Sequence, residues 1–387
     1  MLNKSLIGLW GVAIFVLFLY SFVQVDLGLT LTRASFFQDI QRSFQYVGYF
    51  NRPLSAYLFI GIVVLLGILY LLTLFLISKK KVSLRTLSVL LILVSVILLF
   101  SYTATSYDIF NYIFDAKIVT QYHENPYIKK ALDYPNDPML GFMHWTHRTY
   151  PYGPTWLALT IPLSFMGGGY FVVTYFLFKA LAVASYLISS FLIYKIVKIT
   201  KRVDPLLALA FFSLNPLVIM ETLVAGHNDI PMMAAALLGI YFLIVQKKYS
   251  AWLSLVLSAG IKFGTLILLP VFLWYPFSKR KNKDFILFTV CFFCMLAAVI
   301  AASTRTTFQP WYFLLCLPIA ALILNQVFIR IFVVCFSLLI LFQYVPFFFT
   351  GNFDPPIPTI MNQLLWLSII VSLVMGIYFE FRFRVKK

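Results

Sequence analysis

Charge is what this chain of 387 residues most conspicuously lacks. Asp, Glu, Lys and Arg make up 11% of it, against roughly a quarter in a soluble domain. Apolar residues make up 62%, more than a water-soluble fold can hide, so a soluble enzyme or binding module is excluded. Acid is the scarcer sign: 13 Asp and Glu stand against 30 Lys and Arg, a formal net charge of +17. In a soluble protein that excess would point to nucleic acid. Here most of the basic residues fall in short connecting segments, where they set membrane topology and meet anionic lipid, so no nucleic-acid partner is expected. Cysteine is sparse too. All four lie in apolar stretches, and the C-x-x-C of Cys291 and Cys294 has no His or second Cys pair near it in sequence. Packing is the expected role there, ahead of redox chemistry or zinc. No phosphate-cradling glycine loop and no HExxH pattern occur, which argues against a nucleotide donor and against a zinc protease.

What is present is a ladder of apolar stretches about 20 residues long, enough for one membrane crossing each. Helices are expected at about 6–25, 54–78, 84–103, 170–194, 206–222, 229–246, 284–303, 310–325, 328–349 and 360–380. The segment 251–277 begins and ends beside basic loops and holds Lys262 at its centre, so it reads as a short hairpin, either re-entrant or two short spans. The expectation is an all-α polytopic membrane protein with ten to twelve crossings and one transmembrane domain over 1–387. Residues 6–25 form a retained first helix, not a cleaved signal. The connections alternate in kind. KKK (79–81), KITKR (198–202), KK (247–248), SKRKNK (278–283) and FRFRVKK (381–387) are basic. The others carry Asp108, Asp115, Glu124, Asp133, Asp137, Glu221, Asp229 and Asp354. Lys and Arg stay cytoplasmic, which puts both termini inside and ten of the thirteen acids outside. Any chemistry is then extracytoplasmic.

Two outward segments are too long for turns. In 26–53, Phe36, Phe37, Ile40, Phe44 and Val47 recur every three to four residues, the pattern of an amphipathic helix lying in the interface. Residues 104–169 hold five acids and three of the four His. Their stretch 156–166, followed by GGG (167–169), fits a juxtamembrane helix.

In SYDIFNYIFDAK (106–117), Asp108, Asn111 or Tyr112, and Asp115 share one helix face. A carboxylate held where membrane meets cavity suits a general base, although both Asp residues also suit solvated caps. HENPY (123–127) and HWTHRTYPYGP (144–154) give stiff, extended backbone. His144 and His147 could ligate a metal with an acid. Arg148 suits an anionic group, either a phosphate or a lipid head. Glu221, His227, Asn228 and Asp229 offer donors and acceptors for sugar hydroxyls. Asn228 or Asp229 before Ile230-Pro231 would equally make a helix start. Lys262, in SAGIKFG (258–264), needs a phosphate or carboxylate partner or a wet cavity. Lys179 is a second intramembrane cation that either snorkels or pairs. Arg305, before QPWY (309–312), faces outward.

The order of NPY (125–127), TYPYGPTW (149–156), GHND (226–229), KFG (262–264) before an apolar run ending at Pro270, and QPWY resembles the polytopic GT-C glycosyltransferases that use polyprenyl-phosphate sugars. The likeness spans about residues 100–325. It is greatest to bacterial polyprenol-phosphate-mannose-dependent mannosyltransferases and to the first GPI mannosyltransferase. The resemblance implies a GT-C-like bundle with extracytoplasmic juxtamembrane helices in the membrane of a bacterial cell. It implies transfer of a hexose, mannose by family, from a polyprenyl-phosphate donor to a glycan, glycolipid or protein acceptor. It makes Asp108 the base on the acceptor hydroxyl and gives the lipid phosphate to Lys262 and Arg148. His227, Asn228 and Asp229 would line the sugar pocket. Asp115, Tyr150 and Arg305 complete the expected substrate contacts. The D-x-D of the GPI enzyme is missing, since Ser106 and Phe110 flank Asp108. No cofactor is assigned, and a divalent cation is left open. The rival class is a transporter or flippase, which predicts inverted repeats and broken helices at matching positions. One interrupted hairpin is all the sequence offers toward it.

Overall fold

The computed structural model describes residues 2–385. Among them helix is the only regular structure, apart from one antiparallel bridge between Lys130 and Thr149. The chain runs α1 (Leu2–Ser21), α2 (Ser35–Gln45), α3 (Arg52–Ser78), α4 (Leu84–Leu99), α5 (Asp108–Thr120), α6 (Pro154–Met166), α7 (Phe171–Thr200), α8 (Pro205–Ser213), α9 (Pro216–Val218), α10 (Asp229–Ile244), α11 (Lys248–Ala259), α12 (Leu269–Trp274), α13 (Lys283–Arg305), α14 (Leu317–Ala320), α15 (Val327–Leu339), α16 (Val345–Thr350) and α17 (Ile357–Val385). Helix α1 packs on α3 and α4, α7 on α8 and α10, α10 on α11, and α15 on α17.

Six helical segments are long and apolar enough to cross a membrane: Leu2–Gln24, Arg52–Ser78, Phe171–Thr200, Lys283–Arg305, Val327–Thr350 and Ile357–Val385. A seventh span, Pro205–Ser213 with Pro216–Val224, is bent by 48°. The break has a local cause. The Asn215 side chain accepts from Leu217 N at 3.0 Å and Pro216 starts the next turn, so the helix is capped and restarted. After Val218 the backbone widens into a π-helical turn, Ile219–Val224. The expected ten to twelve crossings counted every apolar stretch as a full span. Several are shorter. Helices α4 and α10 have 16 residues each, about 24 Å at 1.5 Å per residue, less than the ~30 Å hydrocarbon core. The stretch expected at 310–325 is only 3₁₀ turns and the four-residue α14. Non-helical backbone at membrane depth requires cover by protein, and residues 313–324 are all buried.

The hairpin over 251–277 is present as two short helical legs. The Ser258 hydroxyl donates to Met232 O at 2.8 Å, so α11 runs back along α10. Its tip at residues 260–262 returns to the end of the bundle where α10 begins. The second leg, 263–277, ends where Lys248 lies over the Phe277 ring at 5.4 Å. The tip therefore lies at the acidic end and the basic loops lie at the other. Within 26–53, where an interfacial helix was expected, the chain forms α2, with Phe36 and Phe37 exposed. Near 156–166, where a juxtamembrane helix was expected, the chain forms α6, started by Gly153 and Pro154.

Candidate active site

Two chain segments bring their polar residues to one point at the acidic end. The first leaves α4 and enters α5. Its Asp108 is the first residue of α5, with its N–H on Ser106 Oγ at 3.2 Å. An acid in the first turn suits the positive end of the helix dipole. The second segment leaves the π-helical turn and reaches α10 through GHND. Gly226 there has φ +76°, a left-handed conformation that glycine adopts without strain. A Cβ on it would lie 3.1 Å from Ile109, so the two segments touch.

His227 sits between two carboxylates. Its Nδ1 is 3.5 Å from Asp108 Oδ2 and its Nε2 is 3.3 Å from Glu221 Oε2. The ring N–H groups do not complete hydrogen bonds to either, so the contacts are ionic. The far oxygen of Glu221 accepts from Tyr344 OH at 2.8 Å. Trp311 stacks on the imidazole, with centroids 4.4 Å apart at 18°. Burial favours neutral imidazole, but Asp108 and Glu221 outweigh it and push His227 up to about 9. It is an imidazolium at neutral pH. Burial also pushes the Asp108 carboxyl up, yet His227, with Lys262 and Arg148 beyond, holds it below the ordinary aspartate value. Asp108 is therefore ionised and able to accept a proton.

Lys262 stands at the hairpin tip, paired with Asp229 Oδ2 at 2.8 Å and 5.5 Å from the centre of the Tyr152 ring. The TYPYGPTW segment fixes that tip. Gly153 N donates to Ile261 O at 3.0 Å and Thr155 N to Gly260 O at 2.9 Å. A Cβ on Gly153 would lie 2.2 Å from Gly260 O, so only glycine permits this approach. Tyr112 OH donates to Asn228 Oδ1 at 3.3 Å. The side chains of His227 and Glu221 are fully sealed and that of Asp229 nearly so, whereas Asp108 is 19% and Lys262 25% exposed. Of these five side chains, the two open to an incoming molecule are thus a carboxylate and a cation.

Asp108, His227, Asn228, Asp229 and Lys262 converge as a group. Arg148 lies in the exposed loop with its guanidinium 4.6 Å from the Trp145 ring centre, near enough for its charge to act on Asp108. Asp115 is buried two turns along α5, where burial raises its carboxyl well above the ordinary value. Tyr150 is buried and donates to Gly153 O at 3.0 Å, so it shapes the GPT turn. Arg305 ends α13, exposed, and among the described residues no ion pair joins it to the cluster. His144 packs on Tyr107 with centroids 3.9 Å apart. Among the described residues no three His, Cys, Asp or Glu side chains form a metal-holding group. The cations His227, Lys262 and Arg148 around Asp108 do not fit as neighbours of a divalent ion. Glu221 as the second carboxylate on His227, and Trp311 and Tyr344 as its supports, were not assigned from sequence. The QPWY motif was the one trace of Trp311.

A family model described as the N-terminal domain of alpha-(1->6)-mannopyranosyltransferases, MptA_B family, matches residues 8–278. The chain belongs to this family. It is a glycosyltransferase of the mannosyltransferase type with an all-α, polytopic membrane fold. No curated protein and no solved structure matches it. The matched region of this MptA_B-family chain contains Asp108, Glu221, the GHND loop and Lys262. Trp311 and Tyr344, which close the cluster from behind, come from the chain beyond it.

Proposed function

We propose that the protein transfers mannose from a polyprenyl-phosphate donor to an acceptor hydroxyl at the extracytoplasmic face, by direct displacement with Asp108 as general base. The observation that carries this reading is the pairing of an ionised, partly open Asp108 with a partly open Lys262 around a sealed imidazolium. The acceptor O–H bond breaks as its proton passes to Asp108. The acceptor oxygen bonds to the anomeric carbon as the bond from that carbon to the phosphate oxygen breaks. The leaving polyprenyl phosphate gains one negative charge, which Lys262 and Arg148 meet in a poorly solvated site. The activated bond is already in the donor, so no nucleotide is consumed. Displacement inverts the anomeric centre, and an α-(1→6) product then calls for a β-linked donor. The basic loops at the opposite end support an outward-facing site by the positive-inside rule. The acceptor class is a glycan, glycolipid or protein.

The test is transfer of radiolabel from polyprenyl-phosphate mannose in membranes holding the wild type or Asp108→Asn. Loss of a general base costs about 10²–10⁴-fold in rate. Full transfer by Asp108→Asn would sink the assignment of the base. No transfer by either from mannose, with transfer from a glucose or arabinose donor, would change the sugar.

A further inference from the structure

Lys179 is fully buried in the third turn of α7, and among the described residues it pairs with no carboxylate. It neither snorkels to water nor forms an ion pair. Its Nζ lies within hydrogen-bond reach of three oxygens: Ser101 Oγ at 3.0 Å, Val224 O at 2.9 Å, and Leu223 O. Those carbonyls end the π-helical turn, where no further helical N–H follows to satisfy them. One turn earlier on α7, Tyr175 OH donates to Ser101 O at 3.0 Å. Ser101 leads to Asp108 seven residues later, and Val224 leads to His227 three residues later.

We propose that Lys179 is a positioning residue: its hydrogen bonds tie the segment leading to Asp108 and the segment leading to His227 to one turn of α7, and so set the distance between those two side chains. A packing role alone would need only an apolar side chain of similar length in this site. A lysine adds directed hydrogen bonds, and the two sides they join are the two sides of the cluster. What this means for catalysis rests on Asp108 being the base. The geometric part does not.

The experiment reads geometry and turnover separately. The chain has four His, of which only His227 is buried, so ¹³C-histidine NMR can follow it. Asp108 and Glu221 face its ring nitrogens and Trp311 its face. Asp108 is faced in turn by His227, Lys262 and Arg148. In Lys179→Met the segments separate, and the His227 midpoint falls from about 9 by about one unit or more. In the same preparation kcat for mannosyl transfer falls by about 10-fold or more, with donor KM within about twofold. A midpoint equal to the wild type's overturns the proposal, whatever happens to kcat. Ser101→Ala removes one of these bonds without emptying the site, and it serves if Lys179→Met does not fold. It should move the midpoint in the same direction, and an unmoved midpoint there counts against the proposal equally. A shifted midpoint in a protein whose wild type transfers no mannose supports the positioning role and refutes the functional reading.

Discussion

Replacing His227 by Gln removes the positive charge next to Asp108 and leaves a polar side chain of similar reach. The separation is 3.5 Å. At an effective dielectric near 20, two unit charges so placed attract by about 5 kcal/mol. Glu221 competes for the same imidazolium from 3.3 Å, and Lys262 and Arg148 still act on Asp108 in the variant. A net effect of about 1–3 pKa units remains, or roughly 1.4–4 kcal/mol. The direction follows from the balance at Asp108. Burial raises this carboxyl and the neighbouring cations lower it, so losing the nearest cation lets burial win. A base with a raised pKa is protonated, and idle, to higher pH. The acid limb of kcat should therefore move up by about 1–3 units. The variant should lose more activity near pH 5 than it loses near pH 8. The assay is kcat at saturating polyprenyl-phosphate mannose over about pH 4.5–8.5, referred to folded protein. A constant ratio of variant to wild type across that range would refute the idea that His227 controls the charge of Asp108.

Glu221→Gln leaves His227 with one carboxylate. His227 is held at about 9 against 6.5 unperturbed, so its charged form contributes stability that is fully present below about 6.5. That stability is lost as pH rises through about 9, and it amounts to about 3 kcal/mol. The apparent melting temperature of the wild type should fall between about pH 6 and 9.5, and the fall should be smaller in Glu221→Gln. An equal fall in both would show that the Glu221 charge does not hold the proton. Asp229→Asn frees Lys262 from its pair at 2.8 Å, so donor phosphate meets an uncommitted cation. Donor KM should fall by about 3–10-fold, and an unchanged or higher KM would remove Lys262 from the phosphate site. Gly153→Ala forces a methyl to within 2.2 Å of Gly260 O. The hairpin tip must shift, at about 1–3 kcal/mol, and donor KM should rise as Lys262 moves. Unaltered stability and KM would show that the tip is not held there.

The sequence displays side chains and their periodicity but hides the backbone, and that sets what could be read from it. Asp108, the GHND loop and Lys262 were legible because each places charge where apolar residues surround it, which is costly without a partner. Their order along the chain also carried the family resemblance. The carboxylate partner expected for Lys262 is Asp229. Glu221 was visible only as one more polar group near GHND, because the π-helical turn that aims it at His227 leaves no mark in composition. Tyr344 lies 123 residues beyond Glu221, and no local pattern joins them. Lys179 was legible as an intramembrane cation, but two of its acceptors are backbone carbonyls, which every residue carries. Six or seven helices are long and apolar enough to cross a membrane, fewer than the apolar stretches, because the sequence does not mark where a helix such as α4 or α10 ends.

In the proposed reaction, the charges of the cluster would let a base with a depressed pKa serve. At rest Asp108, Glu221 and Asp229 face His227 and Lys262, with Arg148 nearby, so three negative groups meet three positive ones. A polyprenyl-phosphate sugar brings one more negative charge. During displacement a second develops on the phosphate while Asp108 is neutralised by the acceptor's proton. The total is unchanged; negative charge moves from the carboxylate to the phosphate. The imidazolium that stabilises ionised Asp108 is sealed and fixed, so its field remains after the proton arrives and disfavours that protonated state. Lys262, the more open cation, is placed to favour the other end of the movement. A high intrinsic basicity at Asp108 is then not required, because the bond to the leaving phosphate drives the step and the base only has to be ionised and near the hydroxyl. The depressed pKa secures the first condition at neutral pH. The second depends on the approach of the two segments that α7 holds together.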